Sequence, residues 1–140
     1  MPGVNLTREE ALEFAAKYDP QPFHMDEEAA KQSHFGALCA SGWQTASIWM
    51  RLYVLYAQKN AQVLENNGQP VAQMGPGLGM KNLRWLKPVY AGDTLHYYTT
   101  IIAKRPSESR PKAWWRQGPA GIQRGRAHGG TTVRRSAGRA

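Results

Sequence analysis

The chain has 140 residues, of which 41% are apolar, and this is enough for one domain with a core but not for two. It has no run of about 18 apolar residues and no secretory signal pattern, so we expect no membrane span and a cytoplasmic protein. A single cysteine and scattered histidines predict neither a disulfide nor a metal site. The net charge of +8 arises entirely within residues 105–140, because residues 1–104 are neutral.

The first predicted helix begins after Thr7, which can cap its N-terminus, and Glu10 can complete a capping box three residues later. This helix should end near Tyr18, before the Asp19-Pro20 step. A second short helix is predicted over residues 26–32, where acidic side chains in the first turn match the helix dipole.

Between these helices lies the segment Asp19-Pro20-Gln21-Pro22-Phe23-His24. Residues five apart point away from each other on a regular helix, and proline breaks a helix interior, so we predict an extended loop that brings Asp19 and His24 to one point. A carboxylate and an imidazole that converge form a minimal acid–base pair, able to take a proton from water and return it. The alternative is a proline-rich turn in which Asp19 bonds only its own turn and His24 is incidental.

The longest predicted helix covers residues 41–58 and has apolar side chains around most of its circumference. A helix of this kind is typically buried on several sides. Its Trp43 and Trp49, together with Phe23, either form ordinary core or line a tunnel for an acyl chain.

A change from helical to alternating periodicity begins near Met80. Leu83 and Trp85 alternate with polar residues, residues 87–93 form a turn, and residues 94–103 are rich in β-branched and aromatic side chains, which predicts a pair of strands. Helices followed by strands, with one buried helix, indicate an α+β fold.

The stretch from residue 112 to residue 140 is rich in glycine and arginine and has no sustained pattern. It is typical of a disordered tail rather than a packed strand, and we divide the chain into a domain at 1–111 and a tail at 112–140. A frame shift in a GC-rich gene produces such a tail, so we hypothesise that it is non-native. A basic arm for nucleic acid is the other reading, but no platform of aromatic and basic residues accompanies the charge.

Taken in order, these motifs resemble those of the MaoC-like acyl dehydratases, the (R)-specific enoyl-CoA hydratase group of the hot-dog superfamily, over roughly residues 6–111. Residues 19–26 are similar to the family signature Asp-x-Asn-Pro-x-His-x-Asp. The helix that starts at Gly42 resembles the glycine-led central helix of the family, and residues 83–95 resemble its later strand, turn and strand. Gln21 stands at the family's Asn, and Ser41 stands at its common His.

This resemblance implies a hot-dog fold, with an antiparallel sheet wrapped around the long central helix, in a homodimer or larger oligomer. It implies a hydro-lyase that reversibly hydrates a trans-2-enoyl thioester of CoA or a carrier protein, with the thioester as substrate and no further cofactor. The implied site residues are Asp19 and His24 as the catalytic pair, Ser41 and Gly42 as backbone donors to the thioester oxygen, and Gln21 and Pro22 as positioning residues.

Three alternatives stay open at this point. The site could belong to a hot-dog acyl thioesterase, in which Asp19 activates water against the carbonyl. The chain could instead be a non-catalytic partner subunit that binds acyl thioesters. Gly42 could serve only to give clearance between helix and sheet.

Overall fold

The structure is a computed structural model and describes residues 3–71, 77, 79–80, 82–106, 113–117 and 121–125. Its elements are β1 (Val4–Asn5), α1 (Arg8–Tyr18), α2 (Pro22–Met25), α3 (Glu27–Gln32), α4 (Gly42–Asn66), β2 (Thr94–Tyr98), β3 (Ile101–Pro106), β4 (Ala113–Gln117) and β5 (Gly121–Gly125). A long central helix with antiparallel strands is the architecture expected of a hot-dog fold.

The predicted start of α1 is confirmed. The Glu10 backbone N–H donates to Thr7 Oγ1 over 3.2 Å, and the Thr7 N–H donates to Glu10 Oε2 over 3.0 Å, which completes the capping box. The helix ends at Tyr18, as the following Asp19-Pro20 predicts.

The predicted extended loop is wrong, because His24 lies in the short helix α2. Pro22 occupies the first turn of α2, where a helix does not need the N–H that proline lacks. The break in the chain falls instead at Asp19 and Pro20, between α1 and α2. Asp26 then caps α3 by accepting from the Ala29 N–H over 2.8 Å, and the predicted helix there is confirmed.

Helix α4 is longer than predicted and is buried on one face rather than on several. Thr45 and Leu52 are buried, and Ile48 and Trp49 pack against the core; these positions share one helix face. Helix α4 has 25 residues, and no side chain is buried among its residues 53–66.

The strand predicted around Leu83 and Trp85 is absent from the described residues 82–89. Both side chains are about half exposed, so their alternation does not reflect a buried sheet face. Tyr90 makes an isolated antiparallel bridge with Cys39, and the Ala40 N–H donates to the Val89 carbonyl over 2.8 Å. The predicted turn that follows is confirmed, with Gly92 at φ 88°.

The strand predicted over residues 94–103 is divided in two. Strand β2 pairs antiparallel with both β1 and β5, so that Leu95 lies opposite Val4 and Tyr97 opposite Ile122. Strand β3 pairs antiparallel with β4. The described strands thus form a three-stranded sheet in the order β1-β2-β5 and a separate two-stranded sheet.

Strands also occur where the sequence predicted none. Strand β1 precedes the first helix, where the Leu6 N–H donates to the Asp93 carbonyl over 2.9 Å and the Gly92 N–H to the Leu6 carbonyl over 2.7 Å. Strands β4 and β5 lie in the Gly/Arg-rich stretch. Ladder hydrogen bonds use backbone groups that nearly every residue supplies, so composition alone does not reveal them. That the tail is non-native stays a prediction, and residues 126–140 lie outside the described residues.

The core lies between α1, α4 and β2. Its buried members are Leu6, Ala11, Ala40, Leu52, Leu95 and Tyr97. None of the helices in the described part of the chain is long and apolar enough to cross a membrane.

Candidate active site

Three segments meet at the N-terminal end of α4. Asp19 ends α1, and its N–H donates to the Ala15 carbonyl over 2.9 Å. The segment before α4 is tied to residues 89–91 by backbone hydrogen bonds, and Ser41 follows it as the N-cap of α4. The Gln44 side-chain amide donates to the Glu10 carbonyl over 2.9 Å, so α1 and the first turn of α4 are held together.

The Asp19 carboxylate is held by two side-chain donors. The Ser41 hydroxyl donates to Oδ2 and the Gln21 amide donates to Oδ1, each over 2.7 Å. The Ser41 hydrogen bond, the Gln21 amide and the charge of His24 lower the pKa of Asp19, and partial burial opposes them. Because both donors favour the charged form, Asp19 is a carboxylate near neutral pH.

The His24 imidazole is fixed by one backbone carbonyl and two phenyl rings. Its Nδ1 lies 2.7 Å from the Cys39 carbonyl oxygen, and its ring contacts Phe23 at a centroid distance of 4.6 Å and Phe35 at 6.5 Å. A carbonyl oxygen only accepts, so the hydrogen-bond network assigns the proton of the neutral ring to Nδ1. Nε2 then carries a lone pair.

Asp19 and His24 converge, as the sequence predicted. His24 Nε2 lies 3.5 Å from Asp19 Oδ2, and the two side chains are 8% and 18% exposed. This distance is too long for a good direct hydrogen bond. When the His24 ring is neutral, Nε2 and Asp19 Oδ2 are two acceptors that face each other. A water molecule that donates one hydrogen to each acceptor suits this arrangement, and the partial exposure of Asp19 gives access to it.

Gly42 lies directly beneath the indole of Trp85. A Cβ added to Gly42 would collide with the Trp85 ring, and Trp85 also meets Trp43 edge to face at 5.2 Å. The structure therefore gives Gly42 a clearance role. The first N–H groups of any helix have no intrahelical acceptor, so donation from Ser41 and Gly42 to a thioester oxygen stays a prediction.

Cys39 lies beside the pair without the properties of a nucleophile. Its thiol is buried, with Sγ 3.6 Å from His24 Nδ1, and burial raises the pKa of the Cys39 thiol. A protonated thiol is a poor nucleophile. Within the described ranges, no three His, Cys, Asp or Glu side chains are grouped to hold a metal ion.

The structure brings together Asp19, His24, Gln21 and Ser41, and Pro22 is the first residue of α2. The sequence did not reveal the contact of the Ser41 hydroxyl with Asp19, although serine directly before a helix is a strong N-cap signal. The three aromatic residues predicted as core or as tunnel lining have different surroundings. Trp49 packs against the core, Phe23 contacts His24, and Trp43 is half-exposed.

Comparison with known proteins identifies the family. Residues 1–113 match the model of the MaoC-like domain, and the chain belongs to this family of hot-dog dehydratases. It is 40% identical to the MaoC-like dehydratase of Rhodospirillum rubrum, whose crystal structure superposes with a TM-score of 0.68 over 88% of this chain and 76% of that one.

Two other relatives are less similar in sequence. The structure of a monoamine oxidase regulatory protein from Archaeoglobus fulgius has a TM-score of 0.60 and 28% identity, and the match covers 76% of this chain and 65% of that one. The uncharacterized protein YdeM of Bacillus subtilis (strain 168) is 26% identical over 106 residues, which are 76% of this chain and 67% of that protein.

Proposed function

We propose that the chain is a hydro-lyase that reversibly hydrates a trans-2-enoyl thioester to a 3-hydroxyacyl thioester, with the acyl group carried by CoA or a carrier protein. The observation that supports this most is the approach of His24 Nε2 to Asp19 Oδ2 over 3.5 Å in a chain of the MaoC-like family. The chemistry needs only acid–base groups, so we propose no cofactor beyond the thioester substrate.

In this mechanism Asp19 and His24 hold one water molecule. His24 Nε2 takes a proton from the water as its oxygen bonds to the β-carbon, and the proton is then given to the α-carbon. Asp19 remains an anion, which orients the water and stabilises the imidazolium. Backbone N–H groups at Ser41 and Gly42 stabilise the negative charge that develops on the thioester oxygen, because the N-terminal end of α4 favours an anion.

Access to those N–H groups depends on Trp85, because its indole lies over Gly42. We propose that this half-exposed side chain moves when the thioester binds. Gln21 keeps its positioning role despite the extra methylene, since its amide reaches Asp19 Oδ1.

We further propose that two copies associate through the outer patch of α4, which we define as Leu55, Tyr56 and Val63. These side chains are 49%, 51% and 51% exposed. Burying apolar side chains of this size on association is favourable by about 25 cal/mol per Å² of surface removed from water. A second copy supplies a matching apolar surface by symmetry.

A spectrophotometric assay with a short and a longer trans-2-enoyl-CoA tests the reaction class. Hydration removes the conjugated enoyl absorbance without releasing thiol, and this is the expected result. Release of free thiol instead would identify a thioesterase. Saturable binding of the enoyl-CoA with no change in either signal would identify a non-catalytic acyl-thioester-binding subunit.

A further inference from the structure

The Ser41 hydroxyl connects the end of α4 to the catalytic carboxylate. It accepts a hydrogen bond from the Trp43 N–H over 3.2 Å and donates one to Asp19 Oδ2 over 2.7 Å. Ser41 is fully buried, so water does not compete for either bond. Hydrogen bonds in such a chain polarise one another, and the helix N–H therefore strengthens the donor that faces Asp19.

The two donors to Asp19 act on different oxygens. Gln21 binds Oδ1, whereas Ser41 binds Oδ2, the oxygen that faces His24 Nε2. A carboxylate held at both oxygens from two directions has its plane fixed. Of the two donors, Ser41 is the one that sets the position of the oxygen closest to the base.

On the basis of the proposed hydration chemistry, we infer that Ser41 is a positioning residue, whose side-chain hydroxyl holds Asp19 Oδ2 beside His24 Nε2 so that both acceptors can bind the same water molecule. This role belongs to the side chain. It is separate from the backbone N–H of Ser41, which we assign to the thioester oxygen.

The charge state of Asp19 supports the inference. The Ser41 hydrogen bond is the largest of the influences that lower the pKa of Asp19. Of the described residues, His24 is the titratable group whose charge acts on Asp19, and the Cys39 thiol, which lies behind His24, stays protonated because burial raises its pKa. Loss of the hydroxyl should therefore raise the pKa of Asp19.

Four variants separate this role from helix capping. Ser41→Ala and Ser41→Gly both remove the hydroxyl, but glycine is a far better N-cap than alanine. Ser41→Thr keeps a hydroxyl. Ser47→Ala is the matched control, because the Ser47 hydroxyl donates to the Trp43 carbonyl on the same helix and does not reach the site.

Two readouts are needed. The first is kcat and KM for enoyl-CoA hydration. We expect kcat to fall about tenfold or more in both the Ala and the Gly variant, because a hydrogen bond to a charged group is lost. KM should change little. The second is the pKa of Asp19, followed by the ¹³C shift of its carboxyl carbon, assigned by its absence in Asp19→Asn. This pKa should rise in both variants but not in Ser41→Thr or Ser47→Ala.

An Asp19 pKa that is unchanged in Ser41→Ala and Ser41→Gly would overturn the inference, even in an active hydratase. A loss of kcat in Ser41→Ala that Ser41→Gly restores would also overturn it, since capping would then explain the effect. If the parent protein hydrates no enoyl-CoA, the proposed function fails, and the titration alone decides whether the hydroxyl holds Asp19.

Discussion

The two halves of α4 have similarly apolar sequences but different surroundings. In residues 42–52 the side chains of Gln44, Thr45 and Leu52 are buried, and Gln44 is tied to α1 by its hydrogen bond to Glu10. In residues 53–66 no side chain is buried, and Leu55, Tyr56 and Val63 are largely exposed. Asp19 and His24 lie beside the N-terminal end of α4, which the core and α1 hold in place.

The difference shows that apolar composition does not by itself decide which part of a helix is buried. Leu52 in the first half shares the core with Leu95 and Tyr97 of β2, whereas no side chain of the second half is buried. A site that needs two side chains at a fixed distance is best placed beside the half that is anchored. The exposed half is available for contact with a second copy.

The largest difference between the halves should appear in a pair of identical truncations. Leu52 is 9% exposed and Leu55 is 49% exposed. We expect Leu52→Ala to lower the free energy of unfolding by about 2–5 kcal/mol, because it leaves a cavity in the core. Leu55→Ala should change it by less than about 0.5 kcal/mol.

Urea denaturation, at protein concentrations low enough for the monomer to dominate, measures both values. Equal costs for the two variants would mean that the halves of α4 are equally buried in one chain, contrary to the structure.

A charge placed in the outer patch tests whether a second copy covers the exposed half. Tyr56→Lys should weaken association at least tenfold, or about 1.4 kcal/mol, because an unpaired charge is costly to bury. Light scattering coupled to size-exclusion chromatography gives the mass, which should change from that of an oligomer to that of a monomer. A parent protein that is monomeric at high concentration would remove the proposed interface.

A methyl group added at the anchored end should displace Trp85. In Gly42→Ala the new Cβ collides with the indole, and the ring can swing outward because it is half-exposed. Loss of the Trp43–Trp85 contact costs about 0.5–1.5 kcal/mol.

We therefore expect a small change in stability together with a clear change in tryptophan fluorescence. The same substitution in a Trp85→Phe background is the control, and it should produce a much smaller change in fluorescence. An equal fluorescence change in both backgrounds would show that Trp85 does not lie over Gly42.

The smallest expected effect is the contribution of Asp19 to the pH dependence of stability. The pKa of Asp19 is lowered in the folded protein, so its contribution is present above the unfolded carboxyl pKa of about 3.9 and is lost as the pH falls through the folded pKa. The stability difference between the parent and Asp19→Asn should therefore shrink on acidification. A difference that grows towards low pH would contradict the lowered pKa.

The sequence predicted best those features that short local patterns encode. The capping box of Thr7 and Glu10, the short helix predicted over residues 26–32 and the turn at Gly92 each depend on a few neighbouring residues, and each was found close to where it was predicted. The convergence of Asp19 and His24 was also predicted, although through an extended loop rather than through α2.

Features that depend on distant contacts were not predictable. The alternation at Leu83 and Trp85 predicted a strand, but strand formation requires a partner with free backbone groups. The Ser41 hydroxyl reaches Asp19 across 22 positions of sequence, and only the fold brings them together. Which part of α4 is buried depends on the residues of other elements that share its core, such as Leu6, Leu95 and Tyr97, and the residues of the helix do not encode these contacts.

The most direct test of the account is a double-mutant cycle in enoyl-CoA hydration. Asp19→Asn and His24→Gln should each reduce kcat/KM by about 10²–10⁴-fold, and the double variant should be little worse than either single one, because the two side chains act on one water molecule. His96→Gln, an exposed change on β2, should leave the rate unchanged. Strictly multiplicative losses, or hydration that survives both substitutions, would contradict the account.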